Sequence, residues 1–162
     1  MTQGTDRQAL LRRETLLSAV VNAAISIGFF LLVFGWAPVA TRSLAIDFLP
    51  QTFGTAFLGG LVPSFILLSK IRRGTVAAAG RVPTRAAQTL RVLGCALVAT
   101  PVLGGLAALV MLAVGPSLLS PATALIVKAL YGALVGIVTT PPVLRMALGM
   151  PSGLSIRSAN AF

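Results

Sequence analysis

The sequence predicts an all-α integral membrane four-helix bundle, and three observations carry that reading. Of 162 residues 56% are hydrophobic and 10% are charged, against about a quarter charged in an average soluble domain. The mean hydropathy of +0.94 is opposite in sign to the polar bias that keeps a chain disordered. Apolar runs near residues 15–36, 50–69, 90–114 and 121–144 each reach the roughly 20 residues that one membrane crossing requires.

The first run follows a polar, basic stretch, Met1 to Arg13. A secretory h-region is about 7–15 residues long, so a run from Thr15 to Trp36 is expected to stay as an uncleaved helix with Trp36 at the interface. Before the second run, the pairs Leu44/Phe48 and Ala45/Leu49, each at a spacing of four, predict a short interfacial helix over 42–49. The second run ends in Lys70-Ile71-Arg72-Arg73. Pro63, Pro101 and Pro141-Pro142 fall inside later runs; in a bundle they are expected to kink their helices, and Pro141-Pro142 alternatively to end the fourth one early. The expected organisation is a tail over 1–14, a membrane domain over 15–146 and a second tail over 147–162.

Charge sets the expected orientation. Arg7, Arg12, Arg13, Lys70, Arg72, Arg73, Arg81, Arg85, Arg91, Arg145 and Arg157 fall on one side of the four runs, and only Arg42 and Lys128 on the other. Positive charge is retained on the cytoplasmic side, so both termini are expected there, in a bacterial inner membrane. The same bias accounts for a pI of about 11.9 without nucleic acid; the expected partners of the basic side are anionic lipids.

An internal repeat is also suggested. Phe57-Leu58-Gly59-Gly60-Leu61-Val62 aligns with Leu130-Tyr131-Gly132-Ala133-Leu134-Val135, and at the same spacing Arg72 falls on Arg145. Two-helix units entering in the same sense would make a parallel tandem repeat.

Residue types narrow the chemistry. The chain has no histidine, one cysteine (Cys95) and three acidic residues, Asp6, Glu14 and Asp47. A zinc site takes about four Cys, His or carboxylate ligands, and general acid–base chemistry calls on the same side chains. No metal, cofactor or catalytic residue is therefore expected, and the chain is read as a non-enzyme. Glu14, after Arg12-Arg13, reads as a first-turn helix acid that favours the positive end of the helix dipole.

The remaining candidates concern packing and polarity. Helices in lipid approach closely through small residues, which nominates Gly59, Gly60, Gly104, Gly105, Gly132 and Gly136 as contact points, within the chain or in a homo-oligomer. Ser18, Asn22 and Ser26 recur every four residues in the first helix, and Lys128, Tyr131 and Thr139 share a face of the fourth with Gly132 and Val135. These two stripes are expected to face each other. Lys128 is the one cation within an apolar run; it either snorkels to the interface or pairs with Asp47, the only acid assigned to the same side.

The segments Ala45-Ile46-Asp47-Phe48-Leu49-Pro50-Gln51, Val127-Lys128-Ala129-Leu130-Tyr131-Gly132-Ala133-Leu134 and Thr140-Pro141-Pro142-Val143-Leu144-Arg145 resemble a group of bacterial four-helix inner-membrane proteins, some labelled permeases. The resemblance implies an inner-membrane protein and transfers no functional residue. The resulting expectation is a non-enzymatic membrane protein that binds or moves a small solute or lipid as an oligomer. Its alternative is an accessory or assembly subunit of a larger membrane complex.

Overall fold

The computed structural model describes the backbone of residues 2–150 and the side chains of residues 8, 9 and 11–150. Helix α1 runs over Thr2–Phe34, α2 over Thr41–Arg72, α3 over Arg85–Ala99, α4 over Gly105–Val114 and α5 over Pro121–Ala147. A π-helical turn, Thr100–Gly104, joins α3 to α4, so the chain forms four rods. All four are long and apolar enough to cross a membrane, α3 and α4 together making the third.

Each rod exceeds the expected run, and two differences matter. Residues 2–14 are helical, so Glu14 lies in the interior of α1 rather than in its first turn. The segment 42–49 is not a separate interfacial helix either, because it is continuous with α2 through Pro50. The apolar pairs identified there are real, but Leu44, Ala45 and Phe48 are buried against the bundle instead of lying on a surface. Pro141-Pro142 sits within α5, which continues to Ala147. At Pro101 the missing N–H does change the helix: the chain widens into the π turn, and Thr100 Oγ1 donates 2.8 Å to the Ala96 carbonyl. The expected tail beyond Ala147 begins with Leu148, fully buried; residues 151–162, Arg157 among them, lie outside the described residues.

At one end, β1 (Val39–Ala40) and β2 (Leu118–Leu119) pair antiparallel, Val39 opposite Leu119 and Ala40 opposite Leu118. Thr41 extends this strap, its N–H donating to the Ser117 carbonyl and its hydroxyl to the Pro116 carbonyl. Gly35, at φ +63°, ends α1 just before it, a left-handed conformation that glycine adopts without steric cost. Phe30, Val39, Leu44, Leu119 and Ala124 fill the space beneath the strap. At the opposite end the Arg73–Thr84 connection is fastened by the Ala79 N–H donating 2.9 Å to the Leu148 carbonyl. We refer to these as the strap end and the loop end.

Between the ends, α2 and α5 touch along the centre, α1 packs mainly on α5, and the third rod packs mainly on α2. Phe48, Ala56, Ala96, Tyr131 and Val135 form the middle of the core, with the Phe48 and Tyr131 rings edge to face at 4.6 Å. The flanking rods are the more exposed: only 6% of the most apolar window of the third rod is buried inside the chain, against 39% for α2 and for α5.

Candidate functional site

Much of the polar interior is organised by α2, which starts nine residues before the expected run. Asp47 stands in the second turn of α2 and Lys128 in the second turn of α5, on rods that both start at the strap end. Lys128 Nζ lies 2.5 Å from Asp47 Oδ2 and 4.7 Å from the centroid of the Phe48 ring. The lysine side chain is fully buried while that of Asp47 is 22% exposed, so Lys128 does not snorkel. Phe48, one residue after Asp47, covers the ammonium with the negative face of its ring. The Arg42 side chain, exposed at the strap end, makes no described ion pair.

The two expected stripes are buried together, though not partnered as the periodicity implied. Ser18, Asn22 and Ser26 face the small-residue face of α5: Ser18 Oγ and Thr140 Oγ1 are 2.7 Å apart, and Asn22 Nδ2 donates to Ser18 Oγ at 3.3 Å. A Cβ added to Gly132 would come 2.7 Å from the Asn22 carbonyl oxygen, and one added to Gly136 would come 3.1 Å from the Ala19 Cα. Those two glycines therefore set the α1–α5 distance. Lys128 and Tyr131 turn instead to α2, where Tyr131 Oη lies 2.5 Å from Thr52 Oγ1. Ser26 accepts 2.6 Å from Gln51 Nε2, and Thr139 donates 2.7 Å to the Val135 carbonyl of its own helix.

The other nominated glycines separate by face. Gly59 abuts the Asn22 side chain, Gly60 abuts Val92 and Val143, and Gly104 abuts Thr52 and the Phe48 carbonyl. Gly105 meets nothing within 4 Å, so it is not a packing residue of this chain. Successive helical residues are rotated by about 100°, and with Gly104 against α2 its neighbour is turned away. Gly59 and Gly132, matched in the suggested repeat, both face α1 and so do not occupy equivalent positions.

Five residues of this network, Gln51, Thr52, Ser64, Gln88 and Thr140, are not among the candidates read from the sequence. Gln51, Thr52 and Thr140 supply the partners just named, and Gln88, fully buried in α3, donates to Ser64 Oγ at 3.2 Å and to the Val143 carbonyl at 3.1 Å. The spacing of Asp47, Gln51 and Thr55 was the available signal, since they recur every four residues on one face of α2. Among the described residues, three buried side-chain carbonyl oxygens, Asn22 Oδ1, Gln51 Oε1 and Gln88 Oε1, accept no hydrogen bond.

Hydrogen bonds thus close the interior, and the larger spaces open sideways between rods. A groove of about 510 Å³ runs between the third rod and α5, from Arg91 past Cys95 and Val98 to Val138, Pro142 and Met146. Another, of about 410 Å³, lies between α1 and α2, from Glu14 past Ser18 and Val21 to Leu58, Gly59 and Ile66. It adjoins a third space of about 200 Å³, which shares Ile25 and Leu58 and reaches Asp47 and Gln51. At the loop end Gln8, Arg12 and Arg145 rim a further groove of about 590 Å³ floored by Leu11, Leu16, Ile137 and Pro141. No family model, curated protein or solved structure matches the chain.

Proposed function

We propose that this chain is a non-enzymatic, multi-pass protein of a bacterial inner membrane that binds or moves a small apolar or amphiphilic solute, or a lipid, as an oligomer. The observation that carries the reading is the placement of space: the polar interior is closed by side-chain hydrogen bonds, whereas apolar grooves open laterally between α1 and α2 and between the third rod and α5. A solute dissolved in the bilayer reaches such grooves without crossing water. The loop end is assigned to the cytoplasm, because Arg12, Arg13, Lys70, Arg72, Arg73, Arg81, Arg85, Arg91 and Arg145 all lie toward it. Anionic lipid headgroups are the natural partners of Arg12 and Arg145, whose groove combines a basic rim with an apolar floor.

A parallel repeat belongs to the same reading, at a spacing different from that of the sequence match. Helices α2 and α5 begin at Thr41 and Pro121, 80 positions apart. At that spacing Leu58, Gly59, Val62 and Ile66 of one groove correspond to Val138, Thr139, Pro142 and Met146 of the other. The two lateral grooves are then the same feature in each half.

The accessory-subunit reading draws on the third rod, whose outer surface includes Leu97, Val98, Leu106, Leu109 and Val110 in exposed positions. Isolation of the native protein in mild detergent, followed by mass measurement of the intact assembly, separates the two. A self-oligomer carrying a small molecule supports binding or transport; a stoichiometric complex with other polypeptides supports the accessory role.

A further inference from the structure

We infer that the crevice between α1 and α2 takes a protonated lipophilic amine, with its ammonium group at Asp47; this rests on the lateral-groove reading and names the ligand class. The chain carries a formal charge of +10, yet Glu14 and Asp47, the two carboxylates whose side chains the structure describes, both line this one crevice. They line two adjoining spaces, one toward each end, whose walls share Ile25 and Leu58.

The ion pairs are oriented alike. At the strap end Lys128 is fully buried behind Asp47, which is partly exposed and lines the space. At the loop end Glu14 lines the crevice, whereas Lys70, 44% exposed, stands outside its lining 3.6 Å from Glu14 Oε1. In both places the carboxylate is presented to the crevice and the ammonium is held away from it. A carboxylate has about four acceptor positions; Lys128 engages Oδ2, and no described residue donates to Oδ1. One turn along α2, Gln51 also lines the space, with its buried Oε1 accepting nothing. Asn22, fully buried against Gly59 of the crevice wall, carries a second unused oxygen.

Apart from Thr55, the remaining walls of the strap-end space are apolar. Ile25, Phe29, Val33, Pro50 and Leu58 surround Asp47 and Gln51, so the strap-end space suits a hydrocarbon or aromatic body with a single donor head. An anionic or zwitterionic lipid headgroup fits it poorly, because its phosphate would face Asp47. Separation of the two carboxylates follows from α2: Asp47 and Lys70, the partner of Glu14, are 23 residues apart, about 35 Å along a helix. One amine therefore engages one carboxylate at a time; Gln51 Oε1, unpaired but covered in this structure, adds a second acceptor once its amide turns toward the space.

The test uses the full chain in phospholipid nanodiscs and two probes of equal size, phenethylammonium and neutral phenethyl alcohol, measured by equilibrium dialysis with empty nanodiscs subtracted. A charge-assisted hydrogen bond gained only by the amine predicts that it binds about tenfold more tightly or better. That preference should vanish in the paired variant Asp47→Asn/Lys128→Met, which leaves no buried ammonium unpaired. It should fall in Gln51→Leu, which retains the ion pair and keeps the test decisive if the paired variant does not fold. Equal binding of both probes overturns the amine assignment and leaves the groove reading standing. Binding of neither overturns both, and an amine preference unchanged in the variants places the cation elsewhere and overturns the site.

Discussion

Lys128 Nζ and Asp47 Oδ2 are 2.5 Å apart, and the lysine has no exposed surface at all. The pair ties the second turn of α2 to the second turn of α5, at the end of the bundle where the strap joins Val39 to Leu119. Removing either partner alone leaves the other charge in an apolar setting.

Asp47→Asn is expected to destabilise the protein by about 3 kcal/mol or more, since an unpaired buried charge is far costlier than a neutralised pair. Lys128→Gln should cost less, because the carboxylate it leaves is 22% exposed. The double variant should cost clearly less than the two singles summed. Unfolding in detergent measures all three, and additive costs would show that the pair does not clamp α2 to α5.

Gly136→Leu should separate α1 from α5, because even a Cβ there comes 2.6 Å from Asn22 Nδ2. Overpacking of this kind costs typically about 1–3 kcal/mol. Gly105→Leu meets open space and should leave the melting temperature unchanged; a loss there equal to that of Gly136→Leu would indicate that the third rod is covered by another chain.

Thr41→Val removes the hydroxyl that donates to the Pro116 carbonyl while preserving shape. A loss of about 1 kcal/mol is expected for one such bond, confined to the strap end. Hydrogen exchange reads it directly: amides of 39–41 and 117–119 should exchange faster, with those of α2 beyond Thr52 unchanged.

Orientation is tested on a Cys95→Ala background. A thiol introduced at Ala77, in the exposed loop, should react only from the cytoplasm, and one at Ser43 only from outside. The reverse pattern would invert the topology.

Helical periodicity was enough to place Ser18, Asn22 and Ser26 in the interior, since all three are buried on one face of α1. The Asp47–Lys128 pairing was legible because each is isolated among apolar residues near the same end. What lay hidden follows from the prolines. Treating Pro50 as the start of a helix removed the first turns of α2 and with them the stripe of Asp47, Gln51 and Thr55. Local periodicity carries no sign of which helix meets which: the stripe with Tyr131 is expected to face that of Ser18, Asn22 and Ser26, whereas the tyrosine hydroxyl meets Thr52 of α2. Gln88 went unremarked for a related reason: one turn of α3 precedes the apolar run, and only tertiary packing buries it.

The central claim is that the α1–α2 crevice is a working surface open to the bilayer, and site-directed photo-crosslinking in the native membrane addresses it most directly. Leu58, half-exposed and shared by both parts of the crevice, is the position to replace with a photoreactive residue, with Leu109 on the outer face of the third rod as the bilayer control. A low-mass adduct is expected at position 58 that is absent or much weaker at 109. A crosslink from 58 to another polypeptide, or an adduct profile identical to the bulk-lipid profile at 109, would contradict it.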